Sequence, residues 1–67
     1  MKALTAYQTT KILLKEYAQN IISIFGNDKP LCRESINLHT HELCTNLDKE
    51  FDKIRLHNYA CKLHPKD

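Results

Sequence analysis

Glycine is almost absent from this chain: Gly26 stands alone among 67 residues, and proline occurs only at 30 and 65. So few breakers cannot supply the turns of a many-stranded β fold. No run alternates apolar and polar residues long enough to propose a strand. Long hydrophobic runs are missing too. The longest, ILL and IISIF, fall far short of the roughly 20 residues that span a bilayer. No membrane role is expected. Cysteine is sparse: Cys32, Cys44 and Cys61 are odd in number and widely spaced, unlike a secreted disulfide framework. The opening MKALTAYQTTK holds no apolar stretch of signal-peptide length. A cytoplasmic location is therefore the expectation, with free cysteines acting as small apolar residues. Charge of one sign is also lacking: ten basic residues face eight acidic ones, a balance too even for a dedicated nucleic-acid binder. Disorder is excluded by a hydrophobic content of 42%.

What the chain does have is helical periodicity. Tyr7, Leu14, Tyr17, Ala18, Ile21, Ile24 and Phe25 recur at the spacing of one helix face. A second stripe runs through Ile36, Leu43, Cys44, Leu47, Phe51, Ile54 and Cys61, interrupted by Thr40. Between them lies FGNDKP, where Gly26 can take the left-handed conformation that ends a helix. Asp28 can cap the next helix, and Pro30 suits its first turn. These signals predict a single all-α domain over 1–67: helix 1 at about 4–25, a turn at 26–29, and helix 2 at about 30–63, with a bend near 55–58. The product is an antiparallel two-helix hairpin. Two helices cover only one side of each other, and a chain this short buries only about 60% of its unfolded surface. A homodimer, closing two hairpins into a four-helix bundle, is the expected remedy.

Several residues invite chemistry. In LHTHELC, His39 and His41 lie about 200° apart on a helix and cannot share a metal. His41 and Cys44 could, but two ligands make half a zinc site. The better metal set is His57, Cys61 and His64, spaced i, i+4 and i+7 and within about 60° of one another on a helix. A zinc ion completed by a dimer mate is the alternative it offers, although His64 precedes Pro65, which disfavours helical backbone there. Without such a metal no cofactor is expected. A Cys–His nucleophile pair can be drawn from His41 and Cys44 or from His57 and Cys61, yet a hairpin offers neither pocket nor oxyanion donors, so no enzyme and no small-molecule substrate are expected. Leu56, Tyr59 and Leu63 drift off the main stripe and form the expected partner-binding surface. Lys11, Lys15 and Arg55 fall toward one end of the hairpin, where phosphates of an RNA would meet them.

The segment ESINLHTHELCTNLDKEF resembles the second helix of the Rop (Rom) family of small plasmid copy-number regulators. The residues that carry the resemblance are Glu34, Ser35, His39, Glu42, Leu43 and Phe51, with Ile36 in place of a leucine, and Ala3 and Leu4 at the start of helix 1. It covers about residues 3–51 and implies a hairpin homodimer in an antiparallel four-helix bundle. It also implies recognition of paired RNA loops by helix 1. At the corresponding positions this chain has Thr5, Thr9, Leu13 and Asn20 where the family uses Asn, Phe, Gln and Lys; Lys11 and Lys15 offer charge nearby. The expectation is a small non-enzymatic regulatory or adaptor protein, acting as a homodimer on a macromolecular partner, protein in preference to RNA. A Rop-like RNA-binding modulator of plasmid replication and a zinc-stabilised interaction module are the alternatives.

Overall fold

The structure, a computed structural model describing residues 4–66, is all-helical over those residues. Ala3 lies outside them. Three helices follow in order: α1 (Ala6–Phe25), α2 (Lys29–Cys44) and α3 (Glu50–Leu63). Local chemistry sets most of their ends. Thr5 and Gln8 form a capping box: the Gln8 N–H donates to Thr5 Oγ1 at 3.1 Å, and the Thr5 N–H to Gln8 Oε1 at 2.9 Å. Asp28 caps α2 by accepting from the Leu31 N–H at 3.1 Å, and Pro30 sits in the first turn. His64, ahead of Pro65, is extended at φ −62°, ψ 142°, and stops α3.

Two expectations are corrected. Gly26 does not use the left-handed region; it has φ −57° and ψ −21°. Its lack of a side chain serves close approach instead, because a Cβ there would lie 2.5 Å from the Ile22 carbonyl oxygen. The larger correction concerns the second helix, which does not run on to 63 with a bend near 55–58. It ends at Cys44, and the chain turns over 45–49 without glycine or proline. Thr45 closes the last turn, its hydroxyl donating to the Glu42 carbonyl at 2.7 Å. The N–H groups of Asn46 and Leu47 donate to the Leu43 and Cys44 carbonyls, both at 3.0 Å, a tightened three-residue pattern.

The reason for the break is burial. On one continuous helix, Leu56, Ala60 and Leu63 would point about 180° away from Ile36, Leu43 and Leu47. Turning the chain back lets α3 lay this second stripe onto α1 and α2. Leu56 is fully buried with Leu14 and Ile36; Ala18, Leu43, Cys44, Leu47 and Ala60 complete the core, and Tyr7, Ile22, Tyr59 and Leu63 pack around it. Burying a Leu or Ile side chain contributes roughly 1.5–3 kcal/mol, which offsets a short break in helix hydrogen bonding. Thr40, within the same core, donates its hydroxyl to the Ile36 carbonyl at 2.7 Å and so keeps its buried oxygen paired. All three helix pairs are in contact. α1 and α2 run antiparallel, as do α2 and α3, whereas α3 parallels α1, since Tyr7 meets Arg55 and Lys11 meets Tyr59. A three-helix bundle thus stands where a two-helix hairpin was expected, and α3 covers the flank that a second hairpin was to cover.

Candidate functional site

The expected partner surface is the first to change character. Leu56 is fully buried, and Tyr59 and Leu63 are half-buried against the core, so these three hold the bundle together rather than present a free face. In their place the other stripe turns outward: Phe51 is 68% exposed, Ile54 58%, and Cys61 is exposed as well. Leu4, Ile24 and Leu38 are each at least 60% exposed on α1, its approach, and α2.

The basic residues converge. Lys11 Nζ stands 4.6 Å from the Tyr59 ring centre, and the Arg55 guanidinium 4.1 Å from that of Tyr7. Arg55 also faces the Phe51 ring at 5.5 Å and pairs with Asp52 at 3.6 Å. Lys11 and Lys15 border a cleft of about 350 Å³ between α1 and α3, with Leu4, Gln8, Ile12 and Tyr59. Lys11 and Arg55 border a neighbouring one together with Lys49 and Asp52. The parallel run of α1 and α3 therefore brings Lys11, Lys15 and Arg55 to one side of the molecule, each cation beside apolar or aromatic surface. Asp52 tempers that side, so the field it projects is modest.

The metal candidates part company. His57 turns toward α2, its Nε2 3.5 Å from Cys44 Sγ. His64 meets α2 elsewhere: its Nε2 lies 2.8 Å from Asn37 Oδ1, which accepts the ring proton. Cys61 points to solvent between them. Among the described residues no three His, Cys, Asp or Glu side chains are grouped to hold a metal ion. Burial and the nearby Arg33 hold the His64 imidazole below its ordinary pKa.

The Cys44–His57 contact joins α2 to α3, whereas the two Cys–His pairs that the sequence offers each lie within a single helix. Its advance signal is the turn over 45–49, which carries no glycine or proline and only the weaker turn formers Thr45, Asn46 and Asp48. A cleft of about 290 Å³ opens beside it, bordered also by His41, Glu50 and Lys53. Burial pushes the Cys44 thiol up, Lys53 opposes this and Glu50 adds to it. Activation as a nucleophile needs the opposite shift; in geometry the pair is a thiol–imidazole contact between α2 and α3. His39 stacks on Tyr17 with ring centres 4.0 Å apart, tying α2 to α1, while His41 is exposed. No helix among the described residues is long and apolar enough to cross a membrane. No family model matches the chain, and neither a curated protein nor a solved structure shows significant similarity to it.

Proposed function

We propose that this chain is a small non-enzymatic regulatory or adaptor module that acts as a homodimer and binds a protein partner through its outward apolar side chains. One observation carries the reading: with the core already filled by three helices, Leu4, Ile24, Leu38, Phe51 and Ile54 remain more than half exposed. Single exposed apolar side chains are ordinary, but Phe51 and Ile54 stand one turn apart on α3 and share a patch, and contiguous exposed apolar surface is a mark of association. The raised thiol of Cys44 and the scattering of the histidines give catalysis and metal binding no comparable support.

A second reading has its own observation. Lys11, Lys15 and Arg55 share one side with Tyr7 and Tyr59, a pairing of cations and rings suited to RNA backbone and bases. A Rop-like modulator of plasmid replication would use such a side. Sedimentation velocity at about 0.1 and 0.5 M salt, alone and with a labelled pair of complementary RNA loops, separates the two. Salt-tolerant self-association without RNA binding is the expected result. RNA binding that falls steeply with salt, and that Lys11→Ala with Lys15→Ala removes, would put the second reading first.

A further inference from the structure

The outward face of α3 has a pattern of its own. Phe51, Ile54, Asn58 and Cys61 are spaced three, four and three residues apart, which is the a, d, a, d sequence of a two-heptad coiled-coil seam. All four are exposed. Leu56 and Leu63 fall at the f positions, on the opposite side, where they face the bundle core. The face is therefore unobstructed by the chain's own α1 and α2, and a second helix can lie along its full length.

The residues within and beside the seam state which helix fits. On one flank, at the g positions, stand Glu50 and His57; on the other, at e, stand Arg55 and Lys62. A parallel partner of the same sequence sets g against e′, placing Glu50 of each copy beside Arg55 of the other. An antiparallel one sets e against e′, so Arg55 and Lys62 would meet only Arg55 and Lys62. Present engagements do not prevent the first arrangement: Glu50 holds the half-buried Lys53 at 3.3 Å, and Arg55 holds the half-buried Asp52 at 3.6 Å while lying 4.1 Å from the Tyr7 ring centre, but Glu50 and Arg55 are themselves exposed and free to exchange partners. Asn58 makes the same choice. In a parallel seam it lies opposite its own copy and the two amides can bond each other, the known use of asparagine at an a position. In an antiparallel seam it lies against Ile54, its amide buried without a partner.

We propose that a second copy of this chain docks on the outer face of α3, in a parallel two-fold seam of Phe51, Ile54, Asn58 and Cys61. The proposal gives the homodimer of the preceding section a surface and an orientation, and rests on that reading. It differs from a four-helix bundle of hairpins, in which Phe51, Ile54 and Cys61 would belong to the interior of one long helix pair. Two heptads are short, so the association is reversible, and the flanking charges set register more than strength.

The test uses the full chain under reducing conditions, by sedimentation velocity over a concentration series. A reversible dimer is expected. Phe51→Ser with Ile54→Ser should raise its dissociation constant about tenfold or more while leaving helicity unchanged, because neither side chain belongs to the core. Orientation is read separately with diamide, which oxidises two thiols to a disulfide as its own N=N bond is reduced. A parallel seam sets Cys61 against Cys61, so a covalent dimer mapped to that residue should form faster than in the doubly substituted chain. Cys61→Ser should abolish the covalent dimer and leave the reversible one. A dimer indifferent to the double substitution, or one that yields no Cys61–Cys61 disulfide, overturns the seam yet leaves the broader homodimer standing. A monomer at every concentration overturns both.

Discussion

His64 shows how one residue at a helix end can couple the fold to pH. It caps α3, is partly covered, and lies beside Asn37 with Arg33 close enough to oppose its charge. Burial first, and Arg33 second, hold its pKa below the ordinary value. Folding therefore favours the neutral ring. The stability linked to that preference is in full above about pH 6.5, the unfolded value, and is lost as pH falls through the lower folded one. Thermal denaturation should show a melting temperature that declines on the acid side of about pH 6.5, with a shallower decline in His64→Gln. An NMR titration of the His64 ring should give a midpoint below the ordinary value; a midpoint at or above it would remove this account. Cys44 has the mirror-image sign: its raised thiol favours the protonated form, and the associated stability is lost only as pH rises past the ordinary thiol range.

At the scale of the element, α3 decides the architecture, and a pair of substitutions on its two faces exposes that role. Leu56→Ala removes a fully buried side chain and should cost about 2–5 kcal/mol in urea denaturation. Phe51→Ala, on the outer face of a monomer, should shift it by no more than about 0.5 kcal/mol at concentrations too low for association. Had the chain formed one long second helix, the costs would fall the other way round, with Phe51 in the interior and Leu56 outside. This is also where legibility stopped. The end of α1 and the start of α2 could be read because Gly26, Asp28 and Pro30 act locally, Asp28 as a cap and Pro30 through a fixed φ, while Gly26 ends α1 by close backbone approach and not by the left-handed conformation expected of it. The end of α2 could not, because residues 45–49 contain no glycine or proline, only the weaker turn formers Asn46 and Asp48, and Lys49 provides no side-chain cap for α3. Two apolar stripes about 180° apart share residues 47–63, and the sequence alone does not say which faces inward. Tertiary burial of Leu56, Ala60 and Leu63 makes that choice. The same reversal explains the site residues: Leu56, Tyr59 and Leu63 are free only if the other stripe is the core, and the structure buries Leu56 and half-buries Tyr59 and Leu63 instead. Lys11, Lys15 and Arg55 do share one side, since either fold brings the start of the first helix near the second half of the chain.

For the molecule as a whole, the question is whether a bundle 38 × 26 × 17 Å across is a finished object. Its interior is closed, with no buried side-chain polar atom unpaired among the described residues. Its exterior is not: Phe51 and Ile54 on α3 and Leu38 on α2 keep more than half their surface in water. Association that buries such surface binds the folded chain and not the unfolded one, so it must appear as added stability that grows with protein concentration. Above the dissociation constant, each tenfold rise in concentration adds about 0.7 kcal/mol per protomer, half of about 1.4, because two chains share each contact. For a domain of this length that corresponds to about 3–6 °C in melting temperature. Scanning calorimetry of the reduced protein from about 10 μM to 1 mM should therefore show Tm climbing by steps of this size, and in the Phe51→Ser, Ile54→Ser chain the climb should begin only at a concentration about tenfold or more higher. A melting temperature independent of concentration would mean that the folded unit is complete as a monomer, leaving its outward apolar side chains to a partner of different sequence.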